Sequence, residues 1–171
     1  HRLADCAVAL SKRCEAGDID EIHAELPDFH YAILRHDRPE NEIQARFSLP
    51  FVIAACLVHG RLTRKHLADP RAAGEDIWKL IERTNIRQVV PRRPDMNFDP
   101  EQPDRLRVRL ISGEVIEESC AFPKGSPNVP VSRATILAKY AENAAPLRVH
   151  PDLQSWAGSP DLAAFIEVVT A

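Results

Sequence analysis

Glycine is scarce in this sequence, with six among 171 residues, below the usual ~7%. No low-complexity tract and no internal repeat is visible. An excess of charge of one sign is lacking too. Lys and Arg number 22 against 25 Asp and Glu, for a net charge of −3. That balance offers no broad attraction to DNA, RNA or anionic lipid, so no nucleic-acid partner is expected. The longest apolar stretch, Phe47 to Val58, falls short of the ~20 residues that span a bilayer, and no signal peptide opens the chain. No membrane association is expected. The four cysteines, Cys6, Cys14, Cys56 and Cys120, lie far apart, with no CxxC and no clustering with histidine. That excludes a recognisable zinc spacing and a disulfide framework. They are expected as buried free thiols in a reducing cytoplasm.

What the chain does have is ordinary globular composition, 44% hydrophobic and 27% charged, at a length close to one domain. A domain of this size hides roughly 70% of the surface its unfolded chain exposes, enough for a core without disulfides or metals. Proline is the outlier: 14 residues, about 8% against a usual ~5%, which points to stiff connections. The first residue is His1 rather than Met, as expected of a segment from inside a longer protein.

Leu3, Cys6, Ala7, Leu10 and Cys14 recur at helical spacing and predict an amphipathic helix ending at Gly17, with Arg2 and Asp5 on its polar side. From Asp18 the alternation of Ile22, Ala24 and Leu26 predicts a half-buried strand that stops at Pro27. Tyr31 to Leu34 reads as a second short extended piece. The Asn41–His59 segment is polar at Glu42, Gln44 and Arg46, then apolar almost all round from Phe47 to Val58. A helix without a polar face belongs in a core or against another domain, and an outside partner is expected to cover it. Pro50 fits its first turn or kinks it, and Gly60 is a natural stop. Helices follow over Leu62–Ala68 and Glu75–Arg83, the second with Ile77, Leu80 and Ile81 inward, then a strand over Ile86–Val90. Pro91 to Pro103 is a proline-rich loop. Leu106–Ile111 and Glu114–Phe122 alternate around Ser112-Gly113, a tight hairpin. After the Pro123–Pro130 loop, Ser132 caps a helix carrying Ile136, Leu137 and Tyr140, and Ser159-Pro160-Asp161 opens another that runs through Val169. The expected class is α+β: helices layered on a mostly antiparallel sheet, with further helices at the C-terminal end.

None of GxSxG, the P-loop, HExxH or GxGxxG occurs. His23, His30 and His36 stand near one another, yet their gaps of 7 and 6 residues match no metal-ligand spacing, and solvent-facing histidines are expected. No metal is expected. His59 sits where the dipole of the apolar helix favours a cation. Arg35, Arg38 and Arg46 surround a polar loop that leads into that helix. Such a cluster suits a carboxylate or phosphate, although by spacing alone a solvated loop with ordinary ion pairs is the favoured reading. Lys124-Gly125-Ser126 and Arg92-Arg93 are weaker anion candidates in loops.

Three stretches resemble the C-terminal part of the MmgE/PrpD family, which includes 2-methylcitrate dehydratase, cis-aconitate decarboxylase and iminodisuccinate epimerase. Glu42-Ile-Gln-Ala-Arg-Phe-Ser-Leu-Pro-Phe-Val-Ile-Ala-Ala-Cys-Leu-Val-His-Gly60 is similar to the family's "EAKFSLPY-VAAALL-G" segment nearly residue for residue. Ser112-Gly113, Phe122-Pro-Lys-Gly-Ser-Pro-Asn-Val-Pro-Val-Ser132 and Lys139-Tyr140 resemble its "DG" hairpin, "P-G-P--PLS" loop and "KF" helix. His1 through Ala9 is similar to the histidine and helix that follow its "YP-C---H" signature, whose tyrosine, proline and cysteine are absent here.

The resemblance implies that residues 1–145 are the family's smaller α+β domain. Residues 146–171 would be a helical tail returning to an N-terminal helical domain, the expected partner, within a cytoplasmic homo-oligomer. It implies lyase or isomerase chemistry like that of 2-methylcitrate dehydratase, in carboxylic-acid metabolism such as propionate catabolism. The reaction is metal-free and cofactor-free proton abstraction next to a carboxylate of a small di- or tricarboxylic acid. By the same resemblance His1 is the catalytic residue facing the cleft, and Arg46 and Ser48 bind substrate at its border. Arg46 stands where the family often has lysine, a cation of different geometry. Because the helical domain carries most of the acids and bases, the isolated chain is expected to be inactive. Two other readings stand beside this one: a noncatalytic ligand-binding or assembly module, and a metal hydrolase built on the three histidines.

Overall fold

The computed structural model describes residues 2–144. His1 and the helix expected over Ser159–Val169 lie outside the described residues. The chain divides into two compact units, His1–Val129 and Pro130–Ala171.

In the first unit four strands form one sheet in the order β2-β1-β3-β4. They are β1 (Ile19–Pro27), β2 (Thr84–Val89), β3 (Asp104–Leu110) and β4 (Val115–Cys120). The β1–β3 and β3–β4 pairs are antiparallel, and β1–β2 is parallel. Alternation fixes which face is buried. Ala24 pairs with Leu106, and Ile22 pairs with Val108, which in turn pairs with Ile116; these five side chains are buried on one face. The other face is a charged ladder, with Arg109 on Asp20 and Glu21 at 2.9 and 2.7 Å and Arg107 on Glu117 at 2.9 Å. Exposed pairs of this kind contribute little stability each, but they make the face solvent-compatible. Gly113, at φ +89°, closes the β3–β4 hairpin in the left-handed region that glycine enters without steric cost.

Helix α1 (Arg2–Leu10) packs on β3, β4 and α4 (Leu49–His59), and α4 packs in turn on α6 (Glu75–Glu82). This is the expected two-layer α+β architecture. Every residue of α4 from Leu49 to Leu57 is buried within this chain. The expectation that α4 needs an outside partner to cover it is therefore corrected, because α1 and α6 supply the cover. Gly60 ends α4 at φ +65° with its N–H on the Cys56 carbonyl.

Two local expectations are also corrected. The first helix ends at Leu10 rather than Gly17. Beyond it the backbone tightens, with the Lys12 N–H on the Ala9 carbonyl and the Arg13 N–H on that of Leu10, as helix ends commonly do. Tyr31–Leu34 is not extended; it belongs to α2 (Asp28–Ile33) and its C-cap, where the i, i+3 spacing of Tyr31 and Leu34 turns both onto the core. The segment before α4 is a separate short helix, α3 (Glu42–Arg46). Pro50 cannot donate to the Arg46 carbonyl, so one helix cannot run through. Ser48 restarts it, its Oγ accepting from the Phe51 N–H at 3.3 Å. A further short helix, α5 (Arg64–Ala68), follows α4.

The second unit is described through α7 (Arg133–Ala144), whose first turn is capped by Ser132 accepting from the Thr135 N–H at 3.2 Å.

Candidate functional site

The strongest constellation lies at the N-terminal end of α1. Arg2 occupies the same helical stripe as Cys6 and Leu10, at i, i+4 and i+8, so its stem runs into the core. Asp104 opens β3 in phase with Leu106 and Val108, so its carboxylate points inward as well. The two side chains meet: Arg2 Nη2 lies 2.6 Å from Asp104 Oδ1, and the residues are only 3% and 4% exposed.

The rest of the Arg2 guanidinium is held on three sides. Its Nη1 donates to the Ala121 carbonyl at 3.2 Å. The Phe98 ring sits 5.1 Å from Cζ, a cation–π contact. Nη2 also approaches His30 Nδ1 at 3.4 Å. Because arginine only donates, Nδ1 is the accepting nitrogen of His30. Its Nε2–H is then the donor to Asn97 Oδ1, at 3.0 Å. His30 is accordingly neutral, its pKa lowered by burial and by the Arg2 charge against the opposing bond from Asn97. The Asp104 carboxyl moves the other way. Burial pushes it up to about 6, outweighing the pull of Arg2. Arg2 Nε has no hydrogen-bond partner, whereas Asp104 Oδ1 is held by Nη2 alone.

These groups line a cavity of about 300 Å³, with Arg2, His30, Asn97 and Asp104 as its polar wall and Leu3, Leu26, Leu49 and Phe98 among its apolar ones. That is the small end of the ligand-site range. It accommodates a metabolite of a few carbons rather than a dinucleotide or a peptide. A guanidinium with unspent donors, a neutral imidazole and a protonatable carboxyl can together bind a carboxylate and relay a proton.

The residues expected from the sequence stand elsewhere or nearby. Arg46 is exposed on α3 and bonded to Glu42 one turn earlier. Ser48 is buried as the α4 cap, next to the cavity-lining Leu49. His1 precedes Arg2 in sequence and is not among the described residues. The arginines of the α2–α3 loop do not converge: Arg38 pairs with Glu82 at 2.5 Å, and Arg35 faces solvent. Arg93 pairs with Asp95, and Lys124-Gly125-Ser126 forms a tight turn closed by the Ser126 N–H on the Pro123 carbonyl. His30 corrects the expectation of a solvent-facing histidine, since it is half-buried against Arg2; His23 is exposed and pairs with Glu21 at 3.1 Å. Among the described residues no three His, Cys, Asp or Glu side chains group as metal ligands. All four cysteines are free. Cys6 and Cys56 are buried, as expected, whereas Cys14 and Cys120 are half-buried. No helix among the described residues is long and apolar enough to cross a membrane.

Sequence reasoning missed Arg2, Asp104 and Asn97. For the first two the signal was present in their phase with the apolar stripe of α1 and the inward face of β3. Asn97, in a proline-rich loop, carries no such signal.

Comparison with known proteins gives one family: the family model described as the MmgE/PrpD C-terminal domain matches residues 1–154. No curated protein matches the chain.

Proposed function

We propose that this chain, which belongs to the MmgE/PrpD family through its C-terminal domain, forms part of a lyase or isomerase that removes a proton next to a carboxylate of a small di- or tricarboxylic acid, in the manner of 2-methylcitrate dehydratase. The observation that carries the reading is the small cavity where a buried guanidinium, a neutral imidazole and a carboxyl meet. The hard step of such chemistry is the negative charge that develops on the enolate as the proton leaves, and fixed cations and hydrogen-bond donors stabilise it. Loss of hydroxide or reprotonation then completes dehydration or epimerisation; in decarboxylation the electron pair left by departing carbon dioxide takes the place of that left by the proton, and protonation completes the reaction.

In this proposal His1, next in sequence to the cavity-lining Arg2, moves the proton. Arg46 and Ser48, at the α3–α4 junction, serve the substrate carboxylates. Arg46 supplies charge and Ser48, through its cap, holds the junction in place. Residues 1–145 act as the smaller domain and 146–171 as the tail that returns to the family's helical domain, in a cytoplasmic homo-oligomer. The exposed apolar side chains of Ile33, Ile43 and Phe47 support a covering partner.

The test is deuterium wash-in from heavy water, followed by NMR, with 2-methylcitrate, citrate and cis-aconitate as substrates. The chain joined to a helical domain of the family is expected to exchange or convert at least one of them, and the chain alone none. Failure to exchange, convert or bind every acid of the panel would sink the reading. The alternative, a noncatalytic ligand-binding or assembly module, draws on the sequence carrying no complete catalytic set. Arg46→Ala separates the two, depressing turnover in the first case and only binding or assembly in the second.

A further inference from the structure

We propose that Arg2 is the carboxylate anchor of the cavity, and that Asp104 is a resident counter-ion which an incoming carboxylate displaces, Asp104 taking up one proton from solvent as it is released. The proposal rests on the carboxylic-acid reading above and adds to it the binding group and a proton coupling.

The geometry supports it in three ways. Arg2 is buried and lines the cavity, yet its Nε–H has no partner. Nε and Nη2 form the side of the guanidinium fork that takes a carboxylate in two parallel bonds. Nη2 carries Asp104 at 2.6 Å and His30 at 3.4 Å, and the first is the partner a ligand carboxylate would replace. The remaining grips on Arg2, the Ala121 carbonyl and the Phe98 face, lie on other parts of the group and hold it while its partner changes.

Charge balance supplies the coupling. The cavity holds one buried cation and one buried anion. A second anion entering unprotonated would leave a net negative charge in a low-dielectric site, at a high desolvation cost. Protonation of Asp104 offsets the one ligand carboxylate that pairs with Arg2: guanidinium with Asp104 carboxylate, plus that carboxylate and a proton, becomes guanidinium with ligand carboxylate and a neutral Asp104 acid, the other ligand carboxylates lying outside the pair. Around Asp104, Arg2 of α1 is the cation, whose pull burial already outweighs, and the thiols of Cys6 on α1 and Cys120 on β4, both raised chiefly by burial, stay uncharged and do not oppose the change. His30 of α2, which faces Arg2, is neutral and supplies no competing proton. Burial already holds Asp104 at about 6, close to the point of exchange.

The experiment is calorimetric titration of the chain with tricarballylate, a tricarboxylate with no hydroxyl to lose, at about pH 8 in two buffers of different ionisation enthalpy, so that protons are counted. The wild-type chain is expected to bind with uptake of close to one proton. Arg2→Met is expected to weaken binding about 10- to 100-fold, the worth of hydrogen bonds to a charged group. Asp104→Asn keeps the shape and removes the competitor. It is expected to bind about tenfold tighter or more at this pH, with no proton uptake. A purely structural ion pair predicts the opposite for Asp104→Asn, so that variant tests the proposal even if Arg2→Met does not fold. Equal or weaker binding by Asp104→Asn, or no proton uptake by the wild type, overturns it. If tricarballylate binds without regard to either residue, the proposal falls while the carboxylic-acid reading stands. If neither it nor any acid of the panel binds, both fall.

Discussion

Replacing Asp104 by Asn should stabilise the folded chain at neutral pH and leave it unchanged in acid. The Asp104 carboxyl rises from 3.8 to about 6, because burial costs its charged form more than Arg2 returns. At about 1.4 kcal/mol per pH unit, ionised Asp104 costs the fold about 3 kcal/mol relative to its protonated form. The sign follows from proton counting. Between about pH 4 and pH 6 the folded chain binds more protons at this site than the unfolded chain, so its contribution is complete at low pH and is lost as pH rises. Asparagine cannot ionise. The difference in unfolding free energy between variant and wild type should therefore be near zero at about pH 4 and reach about 3 kcal/mol in favour of the variant by about pH 7. Urea unfolding followed by circular dichroism across that range measures it, and subtracting one curve from the other cancels carboxylates common to both. The competing expectation is that removing one partner of a buried pair costs about 3–5 kcal/mol, by leaving Arg2 unmatched. A variant less stable than wild type at about pH 7 would refute the reasoning and make the ion pair a net support of the fold.

Two further outcomes follow from local geometry. Ser48→Ala removes the cap of a buried helix end and leaves the Phe51 N–H unsatisfied; urea unfolding should show a loss of about 1–2 kcal/mol, and an unchanged midpoint would contradict the assigned role. The Cys6 and Cys56 thiols, both pushed up to about 12, mainly by burial, should resist a disulfide reagent in the native state at about pH 8, while the more exposed Cys14 and Cys120 react first. Four thiols reacting in one fast phase would contradict it.

The legible parts of the fold are those in which local pattern and tertiary demand agree. The β3–β4 hairpin shows in the clean alternation of Leu106–Ile111 and the Ser112-Gly113 turn, and α6 shows in the inward phase of Ile77, Leu80 and Ile81. Helix α4 shows in its unbroken apolar run, with a proline for its first turn and a glycine stop. Helix α2 was illegible because it is six residues long, too short for periodicity to separate a helix from an extended piece. The parallel pairing of β1 with β2 joins segments some sixty residues apart, and nothing local encodes it. The site was half legible. Arg2 and Asp104 stand in phase with apolar neighbours, but residue type suggests exposure for both. Their partnership across the length of the unit appears only when α1 lies over β3. Arg46, chosen for its motif, spends its charge on Glu42 at the surface.

A buried ion pair is a poor way merely to tie a helix to a strand. An apolar pair of similar volume would do so at no desolvation cost, often with a gain in stability. Folded interiors leave few buried polar atoms unpaired. Among the described residues Arg2 Nε is one of the few buried side-chain polar atoms without a hydrogen-bond partner, while the Asp104 carboxylate is met by Nη2. A structural tie would be expected to satisfy its own donors and acceptors first. Unspent hydrogen-bonding capacity on a buried cation, in the wall of a small cavity, is what recognition of an exchangeable anion requires. The energetic penalty at Asp104 and the capacity at Arg2 are then two sides of one arrangement, in which stability at neutral pH is given up where a ligand carboxylate can restore it.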